Sequence, residues 1–222
     1  TANNNPADVI NLSLGGAGTC STYMQDAVNE AVNAGAVVVV AAGNENVNAS
    51  GSTPANCNNV ITVAAVGRDG ARASYSNYGD IVDIAAPGGS GNYGILSTID
   101  SGTRASTGAT YAEYQGTSMA TPHVAGVVAL MRSANPNATV TEITDALQAT
   151  ARAFPGTCSG CGAGIVDAEA AVNYVSGGTT PVETWETVSY RTSGVTVLAD
   201  ARSTPRRNID GVTNVNITTN ND

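Results

Sequence analysis

The run Ala36-Val37-Val38-Val39-Val40-Ala41-Ala42 constrains this chain more than any other stretch. Its residues are all apolar and its centre is β-branched, so it has no polar face to turn to water. It is too short to cross a membrane and reads as a strand buried on both faces, as central strands of parallel sheets are. Upstream, Met24, Ala27, Val28, Ala31 and Val32 recur at helical spacing within 21–34, and Gly35 stops that helix. Before them, Asp8 to Gly16 reads as another buried strand running into a glycine turn, with Leu12 and Leu14 expected to point into the core. Strand, helix, strand in this rhythm is a βαβ unit, and the class is α/β.

Further along, Val60–Val66 and Ile81–Gly88 read as buried strands. Asp83 lies inside the second and must be paired, capped or metal-bound there. Residues 89–115, rich in Gly, Ser and Thr, read as a long loop. A surface helix is expected over 139–150, with Thr139 and Glu142 forming a capping box. Asp167 caps a last helix that runs to about Val175. From residue 176 the character changes to Thr, Asn and Pro with short β-rich pieces such as Val195–Leu198, and the Asn-rich end reads as disordered. Two parts follow: 1–175, and 176–222 as an extension, a linker or the start of a further small module.

Composition narrows the function. The 222 residues are 42% hydrophobic, enough for one sizeable core, and no apolar run approaches a membrane span. Nine arginines, no lysine and a net charge of −9 argue against a nucleic-acid partner, which needs basic surface. No signal peptide is visible at Thr1, and the opening Thr1-Ala2-Asn3 reads as a cut chain. For the four cysteines, a zinc site lacks the ligand spacing and a thioredoxin-like Cys158-Ser159-Gly160-Cys161 lacks its strand-to-helix context. Two disulfides, Cys20–Cys57 and Cys158–Cys161, are the better expectation, and they point to a secreted, extracellular protein.

The chemistry centres on Gly116-Thr117-Ser118-Met119-Ala120-Thr121-Pro122-His123-Val124-Ala125-Gly126. The apolar run after it reads as a buried helix with Ser118 at its N-terminal end. Free N–H groups and the positive dipole end there favour developing negative charge, and small neighbours let a substrate backbone come close. A serine in that position suits nucleophilic attack once a base removes its proton. Alone, Gly-Thr-Ser before a helix would more simply be a cap.

The whole string closely resembles the serine motif of the subtilisin-like proteases, the subtilases. Two further stretches resemble the same family in the right order, and the likeness covers residues 8 to about 175. Ala41-Ala42-Gly43-Asn44 resembles the oxyanion-hole segment, which implies that Asn44 and the Ser118 N–H stabilise the tetrahedral oxyanion. Ser13-Leu14-Gly15-Gly16 matches the segment lining the substrate cleft. With Ala41, Ala42, Gly43, Ser52 and Thr53 it would wall the primary specificity pocket, which favours apolar or aromatic residues before the cut. The resemblance implies a three-layer sandwich with a mostly parallel central sheet, incomplete at the N-terminus. It also implies that Asp83 ligates a structural calcium with carbonyls of Asn58 and Val60; an aspartate hydrogen-bonded to a neighbouring loop is the equal alternative. No cofactor is required for the chemistry.

Subtilases take their triad in the order Asp, His, Ser. Neither an Asp-Thr-Gly nor a His-Gly-Thr-His motif occurs in this sequence. His123, the only histidine, lies on the same helix as Ser118 and points roughly 140° away from it, so its role is structural. The expected function is a secreted serine endopeptidase. Its Asp and His would come from a segment absent from this chain, either in the same polypeptide or as a second chain, and the isolated chain would be inactive. The alternative is a catalytically inactive fragment or peptide-binding module. A lipase or esterase would need a G-x-S-x-G elbow, and Gly-Thr-Ser-Met-Ala is not one.

Overall fold

A computed structural model describes residues 7–177, 185–192, 195–202 and 217–218. The chain divides into two compact units, Thr1–Thr180 and Pro181–Asp222. In the first, the strands are β1 (Val9–Leu12), β2 (Gly16–Ala17), β3 (Val37–Ala41), β4 (Ser52–Thr53), β5 (Ile61–Val66), β6 (Ile84–Pro87), β7 (Ile95–Asp100) and β8 (Ala109–Tyr114). The helices are α1 (Thr22–Asn33), α2 (Thr117–Ala134), α3 (Val140–Ala149) and α4 (Ala168–Val175).

The main sheet has the order β1-β3-β5-β6 and is parallel throughout. Its residues alternate between the two faces of the sheet, as a period of two requires. Val37, Val39, Val63, Ala65, Ile84 and Ala86 pack with Ala120, Val124, Val128 and Met131 of α2 and with α3 and α4. Val38 and Val40 face the other way, among Ile10, Leu12 and the α1 residues Ala31 and Val32. The all-apolar sequence of β3 thus follows from burial on both sides, and the three-layer α/β arrangement is present.

Local chemistry sets the helix ends. The Ser21 hydroxyl accepts from Met24 N at 3.2 Å, and Asp167 Oδ1 accepts from Ala170 N at 3.0 Å. Thr139 and Glu142 form the reciprocal capping box. Gly35 follows α1 at φ +93°, a conformation that side chains resist. Disulfides join Cys20 to Cys57 and Cys158 to Cys161. The first spans 37 residues and the second only 3, so the first removes far more freedom from the unfolded chain.

Four readings need correction. Residues 89–115 are not a loop throughout, because β7 and β8 form an antiparallel hairpin from Ile95↔Tyr114 to Asp100↔Ala109. Its polar, Gly- and Thr-rich composition hid the alternation. At its tip Asp100 takes hydrogen bonds from Ser106 Oγ and from the N–H groups of Gly102, Thr107 and Gly108. These hold its carboxyl down at about 2, led by the Ser106 hydroxyl. The strand expected from Ile81 begins only at Ile84, so Asp83 stands just before it. Leu14 is 58% exposed and does not enter the core. Lastly, the strand expected to be buried from Asp8 is only half-buried, with Asn11 exposed, because β1 lies at the edge of the sheet. Ala41 and Ala42 are buried at 4% and 0% exposure.

In the second unit, β9 (Trp185–Thr192) pairs antiparallel with β10 (Val195–Arg202), which pairs with β11 (Ile217–Thr218). The β-rich piece Val195–Leu198 lies in β10. The disorder expected of the Asn-rich end falls largely outside the described residues.

Adjacent α2 residues test the layering. Met131 is fully buried, whereas Leu130 is 55% exposed. Met131→Ala should lower the unfolding free energy by about 2–5 kcal/mol, and Leu130→Ala should change it by less than about 0.5 kcal/mol, measured by denaturant titration.

Candidate active site

The carboxyl ends of parallel strands are where open α/β sheets place ligands, and the candidate residues gather there. Ser118 is the second residue of α2, half-buried. Its position depends on a proline. Pro122 sits inside α2 and has no N–H, so the Ser118 carbonyl four residues earlier lacks its helical donor. The Ser13 hydroxyl supplies one, donating to Ser118 O at 2.8 Å. In return Ser118 Oγ donates to Ser13 O at 3.1 Å. This reciprocal pair joins the helix start to the segment that follows β1.

Asn44, in the loop after β3, is joined to the same helix start. Its Oδ1 accepts from Thr117 N at 2.8 Å and from Thr117 Oγ1 at 2.9 Å. Thr117 Oγ1 also accepts from Gly43 N at 3.2 Å, and its side chain is fully buried. With the oxygen of Asn44 occupied, its Nδ2 is the free end, and Nδ2 finds no acceptor among the described residues. The Ser118 N–H, in the first helical turn, has none either. Two unpaired donors therefore stand at the start of the helix that carries Ser118, at the positive end of its dipole.

The wall beside them is an antiparallel pairing, Gly16↔Thr53 and Ala17↔Ser52. Gly15, Gly16 and Leu14 are exposed, whereas Ser52 is buried and hydrogen-bonded to Asn77. A Cβ at Gly15 would come within 3.1 Å of the Thr53 carbonyl, so glycine allows this approach. Behind Gly116, Tyr75 is pinned by hydrogen bonds to the carbonyls of Gly88 and Gly89, each 2.7 Å. Burial pushes its hydroxyl up to about 12, which keeps it a donor. Gly116 N donates to Gly88 O, which fixes the entry to α2.

His123 does not join this group. It is exposed, and its Nδ1 is 2.8 Å from Met119 O. No base meets Ser118 Oγ among the described residues.

Asp83 stands elsewhere. Its Oδ2 accepts from Thr62 N at 2.7 Å and its Oδ1 from Gln148 Nε2 at 3.1 Å. Burial raises its carboxyl above the usual range, and these bonds oppose that. The Asn58 carbonyl accepts from Gln25 Nε2 at 3.1 Å. The oxygens of Asp83, Asn58 and Val60 suit a hard cation in kind, but amides already use several of them. Among the described residues no cluster of three His, Cys, Asp or Glu could hold a metal.

Sequence reasoning missed Thr117, Asn77 and the effect of Pro122. Only Pro122 left a readable signal, a missing N–H within a predicted helix. Thr117→Val keeps shape but leaves Gly43 N and one lone pair of Asn44 unmatched, and should cost about 1–3 kcal/mol by denaturant titration.

Comparison with known proteins identifies the family. Residues 1–164 match the model of the subtilase family. The chain is 61% identical over 173 residues to an extracellular protease of Xanthomonas campestris, covering 77% of this chain and 29% of that protein. It is 48% identical over 180 residues to an extracellular basic protease of Dichelobacter nodosus, covering 79% and 29%. Subtilisin E of Bacillus subtilis is 44% identical over 170 residues, covering 75% and 41%. A solved protease structure from Pseudoalteromonas arctica aligns with a TM-score of 0.77 at 54% identity, covering 79% of this chain and 53% of that one. The chain thus spans well under half the length of these curated relatives. With a serine and two free donors at the end of a parallel sheet, and with this similarity, the chain belongs to the subtilase family of serine proteases.

Proposed function

We propose that this chain is the C-terminal part of the catalytic domain of a secreted serine endopeptidase. The carrying observation is Ser118 at the start of α2 beside two unpaired donors, Asn44 Nδ2 and its own N–H. In this reading Ser118 Oγ attacks the peptide carbonyl. A histidine from a segment outside these 222 residues, oriented by an aspartate, takes its proton. The two donors stabilise the oxyanion, and the histidine returns the proton to the leaving amine. Water then releases the acyl group by the same route. No cofactor takes part.

Several features support the remaining assignments. The relatives are named extracellular proteases, two disulfides are present, and no helix among the described residues could cross a membrane. Exposed backbone at Gly15 and Gly16 beside Ser52–Thr53 offers an edge for an extended peptide. Glu45 lies near that wall, but its Oε2 already accepts from Asn44 N and Asn77 Nδ2 at 2.9 Å each. Apolar or aromatic residues before the cut follow. One observation favours a second reading, an inactive or peptide-binding fragment. The Ser118 hydroxyl proton rests on Ser13 O and meets no base.

Fluorophosphonate labelling separates the two. The isolated chain should label at Ser118 slowly, and a polypeptide that also carries the Asp and His segments should label at least about 10³-fold faster. Rapid labelling of the isolated chain would overturn the missing base, and equal, slow labelling of both would favour the binding module.

A structural calcium held by Asp83 and the carbonyls of Asn58 and Val60 belongs to the same proposal, with the Gln25 and Gln148 amides yielding to it. Added calcium should raise the thermal midpoint of the parent protein, and Asp83→Asn should abolish the rise.

A further inference from the structure

We infer that Asn77 is a positioning residue for the oxyanion loop, an inference that rests on reading Asn44 as an oxyanion donor. Asn77 is fully buried, yet every polar atom of its side chain is engaged. Its Oδ1 accepts from Glu45 N at 3.0 Å and from Val47 N at 3.1 Å. Its Nδ2 reaches three oxygens: Ala42 O at 2.9 Å, Glu45 Oε2 at 2.9 Å and Ser52 Oγ at 3.0 Å. Its backbone N donates to Gly43 O at 3.0 Å.

These partners bracket Asn44. The segment from Gly43 to Val47 has no regular secondary structure of its own, and residues 44–47 are exposed. Such a loop must take its shape from elsewhere. One buried amide ties its start at Ala42 and its N–H groups at Glu45 and Val47. The same amide holds Glu45 Oε2, which in turn accepts from Asn44 N. Asn77 also holds Ser52, so the loop and the specificity wall share one anchor. The fit is tight, because a Cβ on Gly43 would overlap Asn77 Nδ2, and Gly43 sits at φ +106°. Only an amide brings two lone pairs and two N–H groups to one such point. Asn77 touches no reacting atom in this reading; it acts through Asn44.

The test uses the assembled protease with Asn77→Ala, Asn44→Ala and the double variant, each assayed for kcat, KM and thermal midpoint. Asn77→Ala should lower kcat about tenfold to a hundredfold and leave KM within about twofold, as loss of a transition-state interaction does. The double variant should be no slower than Asn44→Ala alone, because the two act through one donor. Multiplying effects in the double variant would overturn the proposal, and so would a fall in thermal midpoint with kcat kept. If Asn44→Ala alone leaves kcat unchanged, the oxyanion reading itself has failed and the role of Asn77 falls with it. Should Asn77→Ala not fold, Asn77→Ser retains a hydroxyl for the loop and carries the same comparison.

Discussion

Burial of β3 on both faces is the constraint from which the rest of the unit follows. A strand whose every residue is apolar needs cover on both faces, and a parallel sheet between helices provides it. Val37 and Val39 meet the α2 layer, and Val38 and Val40 meet the α1 layer. That fixes where the chain emerges, because the residues after Ala41 leave the sheet at its carboxyl edge. The segment carrying Asn44 is therefore delivered to the start of α2, which crosses the same sheet. The site is a consequence of which ends the core brings together.

At that edge, small covalent facts have large effects. Pro122 lacks a hydrogen that any other residue would bring, and the carbonyl it leaves open recruits Ser13. Thr117 spends both capacities of its hydroxyl, donating to Asn44 Oδ1 and accepting from Gly43 N. Each contact satisfies a polar group that would be costly to leave unpaired near the core. Together they hold Ser13, Asn44 and Ser118 without using Asn44 Nδ2 or the Ser118 N–H. Under the proposed function, such a site is organised before any substrate arrives, which is the condition for electrostatic stabilisation of a transition state.

Much of this was legible in advance, for identifiable reasons. β3, α1 and the capping box of α3 rest on local patterns: continuous apolarity, helical spacing, and a Thr-x-x-Glu signature. The placing of Ser118 and Asn44 followed from a family motif. The β7–β8 hairpin was not legible, since Ser, Thr and Ala supply weak alternation and an exposed ribbon needs none stronger. Leu14 misled for a related reason, because apolarity alone does not say which way a residue past the end of a strand will turn.

By itself the sequence determined the α/β class, the doubly buried strand, the helix ends and the serine motif. These depend on neighbours within a turn or a strand pair, and short-range patterns record them. Only the tertiary structure decided that Ser118 O meets Ser13, that Asn44 spends its oxygen on Thr117, and that Asn77 closes the loop between them. Those contacts join residues far apart in the chain through hydrogen bonds, whose partners are chosen by geometry and leave no periodic trace.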